Sequence, residues 1–478
     1  MKHLFGIKIL SFLTAAVLIA SPGAWADDES LTQIVKDLQK QMANMQSTID
    51  RQQGTIEQQN GKIRALENRP TSMTQNIEPV AQTSAPVAMT DADFTGLLNT
   101  TTGGADKWLK DLKFKGDLRL RYEGAHHSKG HPAHSGNLNR FRFRLRYGFE
   151  KLFGPEMKIG FRLASGSTAD PTSTNQTFTG NFVDKTHVID QAYAIYTPNW
   201  GKIGPIQKLE LGGGKFNNPF TRGSSDLIWD GDVNPEGAYE MIDATFVDTE
   251  DFALKGFLTM GQMILQQAAH TAANQNSELY AFQLGISPEV KVGDMPLKFL
   301  SAASYYNYSD FAHGGNFGAL AGGNPNVDSE AGTLDANQFK VLSFMQSVEL
   351  KPVDFLPVMK PWFEYAFNTD ANTKIDASAA GENTAWGAGL KLGKTKAKGD
   401  WELSYAYKFI QANSVVGAFN DSDFGHSGRR GNVISFQYKL TDNLTTGITA
   451  FLVNNLNHDT LTRDQEEKRA FADLVWSF

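Results

Sequence analysis

Residues Arg140–Phe149 read RFRFRLRYGF. Phe141, Phe143, Leu145, Tyr147 and Phe149 fall on one side of the chain, and Arg140, Arg142, Arg144 and Arg146 on the other. A period of two is that of a β-strand, because successive side chains point to opposite faces of the pleat. Two settings suit such a strand. In a soluble sandwich the rings would lie in a core and the arginines in water. In a membrane barrel the rings would face acyl chains and the arginines a water-filled lumen.

The same alternation recurs on both sides of this stretch, which favours the barrel. Lys113–Glu123 places Phe114, Leu118, Leu120 and Tyr122 opposite Lys115, Asp117, Arg119 and Arg121. Glu156–Leu163 places Met157, Ile159, Phe161 and Leu163 opposite Lys158 and Arg162. Weaker candidates follow at 188–197, 207–216, 238–247 and 252–260. Clearer ones lie at 279–286, 297–308, 338–350 and 361–368, then around Trp386–Leu392, Trp401–Phe409 and Ile434–Leu440, and finally at 444–453 and 468–478. This makes about sixteen segments of the ~10 residues that a membrane-crossing strand needs. The expected fold is all-β: a transmembrane antiparallel β-barrel over 108–478. Its last segment, Phe471–Phe478, carries Leu474, Trp476 and Phe478 on one face.

Composition agrees with an exported barrel. The chain has no cysteine, so disulfides, thiolate metal sites and Fe–S clusters are excluded. No stretch beyond residue 26 reaches the ~18 consecutive apolar residues of a spanning helix. The mean hydropathy of −0.35 is compatible with a barrel, since lumen-facing residues offset lipid-facing ones. A formal charge of −7 gives no support to a nucleic-acid partner.

The N-terminal part reads differently. Residues 1–26 have a basic start (Lys2, Lys8), an apolar core (Ile9–Ala20) and the small-x-small sequence Ala24-Trp25-Ala26, the pattern of a cleaved secretory signal. Residues 27–69 read as a coiled coil. Val35, Met42, Ile49, Ile56 and Ile63 take position a, and Leu31, Leu38, Met45, Gln52, Gln59 and Leu66 position d. So narrow a stripe calls for copies of itself, and isoleucine at a leaves two or three strands open. Pro70 ends the helix, and 70–107 is a flexible linker rich in Thr, Ala, Pro and Gln.

With the coiled coil in front and an aromatic residue at its end, the chain resembles the outer-membrane barrels of Gram-negative bacteria, and most closely the putative porin family. The resemblance implies sixteen strands, a homotrimer, a periplasmic coiled coil and short periplasmic turns. It gives Leu474, Trp476 and Phe478 the part of an assembly signal. It also implies that the third external loop, here 217–237, folds into the barrel and narrows it. That would place the acids Asp226, Asp230, Asp232 and Glu236 opposite a wall carrying Arg119, Arg121, Arg140, Arg142, Arg144, Arg146 and Arg162.

Alternate arginines on a strand stand about 6.6 Å apart, close enough to pass an anion from one to the next. The expected function is therefore a channel for passive diffusion of small hydrophilic solutes, with an anion preference. A competing reading has the arginines pair with neighbouring acids and only brace the wall. A structural alternative is a barrel tethered to the cell wall by the coiled coil, which could span roughly 60 Å. The expected partners are outer-membrane lipid, further copies of the chain and small solutes. No cofactor is expected. His126, His127, His131 and His134 crowd the first external loop but lack a supporting carboxylate set, so they read as solvated rather than metal-binding. No nucleophile elbow, P-loop or dinucleotide fingerprint is present, and the protein does not read as an enzyme.

Overall fold

The computed structural model describes residues 111–127, 137–267, 276–293, 295–309, 324, 339–351, 358–371, 382–456 and 466–478. The expected signal, coiled coil and linker lie outside the described residues, as do His131 and His134.

Among the described residues, seventeen strands form one antiparallel sheet that closes on itself. They are β1 (Leu112–His127), β2 (Asn137–Phe153), β3 (Met157–Ser165), β4 (Gln176–Thr177), β5 (His187–Tyr196), β6 (Ile206–Lys215), β7 (Glu236–Asp248), β8 (Phe252–Gln266), β9 (Ser277–Val292), β10 (Met295–Ser309), β11 (Phe339–Leu350), β12 (Met359–Asn368), β13 (Thr384–Gly393), β14 (Trp401–Ile410), β15 (Arg429–Lys439), β16 (Leu444–Asn455) and β17 (Glu466–Ser477). The two-residue β4 is a patch on β2, so sixteen strands build the wall, each at a segment whose alternation marked it in the sequence. Short links such as 154–156, 249–251, 394–400 and 440–443 gather at one end. The longer connections, among them 166–186, 216–235 and 411–428, gather at the other.

The pleat sorts the side chains as a lipid-facing wall requires. Phe114 is 72% exposed and Phe141 59%, while Arg121 on the opposite face of β1 is 6% exposed. Phe143 and Leu145 are half-buried on the outer face, where the Phe143 ring stacks on Phe178 at 5.7 Å. No helix among the described residues is long and apolar enough to cross a membrane. The wall itself satisfies its backbone groups by strand pairing, as a spanning barrel must.

The seam joins β1 to β17. Leu118 stands opposite Trp476 and Leu120 opposite Leu474. Gly116 and Phe478 exchange backbone hydrogen bonds of 2.9 and 3.0 Å. The Phe478 ring lies over Gly116, where a Cβ would overlap both that ring and the carbonyl oxygen of Arg146. Gly116→Val should therefore weaken the seam by about 1–3 kcal/mol. The expected readout is a lower temperature at which the compact barrel band is lost on a semi-native gel.

Candidate functional site: an arginine wall and three infolded loops

The interior is built around a run of facing arginines. β1 and β2 pair in a register that sets Arg119 opposite Arg144 and Arg121 opposite Arg142. Like charges directly opposed are unfavourable. Acids flank this core on the same two strands, with Asp117 opposite Arg146 and Glu123 opposite Arg140. Asp117 accepts from Arg144 at 2.7 Å and from Arg146 at 2.7 Å. Glu123 accepts from Arg140 at 2.8 Å and from Arg142 at 3.3 Å. Asp473 of β17 takes Arg121 in a fork at 2.8 and 2.9 Å, the two-pronged geometry guanidinium favours.

Three loops supply further partners. From 216–235, Asp232 reaches Arg146 at 3.2 Å and Arg144 at 3.7 Å. From 411–428, Asp423 meets Arg121 at 3.1 Å. From 166–186, Asn175 accepts from Arg119 at 2.7 Å. Arg429 and Arg469 extend the cluster and share Glu467. Among the described residues, seven of these eight guanidinium groups thus meet six carboxylates, and the eighth, Arg119, meets none. Arg162 stands apart and pairs with Asp190 at 2.5 Å.

The loop 216–235 is held inside by apolar burial. Phe216, Phe220, Leu227, Ile228, Trp229 and Val233 are all buried, and they pack on Tyr239, Met263, Leu279 and Tyr306 of the wall. Gln283 donates to the Phe220 carbonyl at 2.8 Å, and Ser224 bonds to the Tyr306 hydroxyl at 2.9 Å. The fully buried Glu364 of β12 accepts from the Ser225 backbone at 2.7 Å. The loop 411–428 folds in beside it. Trp229 stacks on Phe419 at 5.9 Å, and the Asp230 N–H donates to the Phe419 carbonyl at 2.7 Å. Lys408 of β14, almost wholly buried, holds Asp226 of one loop at 2.8 Å and Asp421 of the other at 2.6 Å.

The sequence pattern of the family described as "Putative porin" matches residues 132–316 and 333–465. The chain belongs to that family. It is a channel-forming porin of the outer membrane. No curated protein sequence matches it. Among solved structures it is similar to Pseudomonas putida OprB in a high-pH form, with 12% identity over 79% of this chain and 97% of that one and a TM-score of 0.47. It is also similar to a mutant porin of Rh. blastica, with 8% identity over 77% of this chain and 100% of that one and a TM-score of 0.36.

In this porin the expected inner arginines do point inward, but the expected acids divide. Only Asp232 faces them. Asp226 and Asp230 turn toward Lys408 and Ser422 instead, because the apolar side of their loop is anchored on the far wall. Glu236, expected in the infolded loop, is the first residue of β7 and pairs with Lys215 at 2.9 Å. The loop itself ends one residue earlier. The infolding of 411–428 was not expected. Its buried Val415, Val416, Phe419 and Phe424 are the signal that could have shown it, since a solvated loop rarely carries so many large apolar groups.

Two outcomes follow for the clamp between the loops. Lys408→Met would strand the largely buried Asp421 carboxylate and release the half-exposed Asp226, at about 1–3 kcal/mol. Single-channel recording should then show larger and noisier openings as both loops loosen. Asp230 gives a pH dependence. Burial pushes its carboxyl up to about 8, with the Asp421 and Asp232 carboxylates adding to the rise. Because the folded value lies above the unfolded one, the acid form favours the packed loops. That stabilisation is complete below about pH 4 and is lost as pH climbs toward about 8. Conductance should accordingly be greater near pH 9 than near pH 6, and Asp230→Asn should flatten the difference.

Proposed function

We propose that this porin lets small hydrophilic solutes diffuse passively across the outer membrane, with a weak-to-moderate preference for anions. The observation that carries the preference is the excess of guanidinium groups over carboxylates on the β1–β2–β17 wall, with Arg119 meeting no acid among the described residues. Guanidinium keeps its charge at any physiological pH, so an unbalanced lumen arginine is a standing attraction for anions. The cavity at the short-turn end adds to it, since Lys115, Lys158, Arg162 and Arg222 line it against Glu150 and Glu210. The pairing seen here means most of the ladder also braces the wall. The preference therefore rests on the surplus rather than on the whole row.

The lumen reading extends to assembly. The a/d repeat of 27–69 supports association of three copies through the periplasmic helix, and the seam position of Leu474, Trp476 and Phe478 supports their part in barrel insertion.

The test is a reversal potential in planar bilayers under a salt gradient. Stepwise currents with an anion-side potential are expected. Arg119→Gln should move that potential toward zero without stranding an acid, because Arg119 braces none. Clear cation selectivity would overturn the preference, and silent bilayers would overturn the channel itself.

A further inference from the structure

Two cavities lie along the β3–β7 side of the barrel. One, of about 850 Å³, is at the long-loop end and is bordered by Asp190, Asn234 and Glu236. The other, of about 590 Å³, is at the short-turn end and is bordered by Arg162, Gln191 and Tyr193. The residues that part them are hydrogen-bonded to one another. Asn234, at the end of the infolded loop 216–235, donates to Asp190 at 2.7 Å and accepts from Gln191 at 2.7 Å. Asp190 in turn accepts from Arg162 at 2.5 Å.

The strand that presents Asp190 and Gln191 is irregular here. The β3–β5 register slips between Arg162 and Leu163, so that Arg162 faces Gln191, Leu163 faces Ile189, and Asp190 is the extra residue. In a regular strand two successive side chains take opposite faces. Here both Asp190 and Gln191 turn inward and are buried, whereas Ile189 and Ala192 on either side are exposed. A bulge of this kind re-aims a side chain, and it occurs where a wall must place one more group than the pleat allows. The added group is the one that ties the loop to the wall.

We infer that Asp190, Gln191 and Asn234 form the throat through which solutes pass between the two cavities, and that the Asp190 carboxylate beside Arg162 sets the charge selectivity there. This rests on the channel reading above and deepens it. It puts the narrowest polar passage on the bulged strand β5, away from the facing arginines of β1 and β2. A solute crossing it exchanges hydrogen bonds with the amides of Gln191 and Asn234. The throat therefore selects polar solutes over apolar ones of equal width.

The chain has no cysteine, so a single introduced thiol is a clean reporter. Asn234→Ala removes the bridge and should raise single-channel conductance by roughly 1.5-fold or more, while Lys396→Gln, on the exposed link between β13 and β14, leaves it within about a tenth. Gln191→Cys should lose most of its current on adding a bulky charged thiol reagent and regain it on reduction. Asp190→Asn, which keeps the shape, should shift the reversal potential toward anions. The throat is overturned if the wild type conducts and the Gln191→Cys current is indifferent to the reagent, or if Asn234→Ala leaves conductance at the wild-type level. Absence of steps in the wild type would overturn the channel reading together with the throat. A barrel band that survives unheated electrophoresis shows that each variant is folded.

Discussion

The interior of this barrel is governed by repulsion. The register of β1 and β2 sets Arg119 against Arg144 and Arg121 against Arg142, and no residue on those two strands can neutralise all four. Asp117 and Glu123 each serve two arginines from the ends of the row. The balance comes from elsewhere: Asp473 from the neighbouring strand, Asp232 and Asp423 from loops, and the Asn175 amide in place of an acid. A low-dielectric interior strengthens each of these attractions relative to water. Loops that would otherwise extend into solvent thus have a reason to turn inward.

Charge alone would leave those loops loosely held. The loop 216–235 has an apolar back and a charged front, and it uses both. Phe220, Leu227 and Trp229 sink against the β7–β11 wall, while Asp232 crosses to the arginines. Lys408 then fastens it to 411–428 by serving a carboxylate from each. The result is a lumen filled with apolar side chains on one side and lined by charged and polar groups on the other.

Much of this was legible in the sequence. A period of two, repeated with aromatics on one face, fixed the strands and their inward and outward faces, because lipid and water act on every residue in turn. The arginine row was legible too, whereas the infolding of the third long loop was implied by the family resemblance rather than by its residues. What escaped was tertiary. Asp226 and Asp230 share a loop with Asp232, yet they face Lys408 and Ser422, because the direction of a loop side chain depends on what the loop packs against. The bulge at Asp190 left no mark, since a single extra residue in HVIDQAY resembles ordinary imperfection in a short strand. The burial of 411–428 had a signal in its large apolar residues, but the alternation of strands gives no reason to look for it there.

The seam has a consequence for how the molecule comes into being. Gly116 finds its partner in Phe478, so every intervening strand lies inside the loop of chain that this contact closes. Chain entropy opposes so distant a junction until the intervening hairpins are in place. Until that final junction forms, β1 and β17 each present a bare edge of amides and carbonyls. The polypeptide must therefore be sheltered from other edges throughout its maturation, and its last act of folding is also the one that makes it safe.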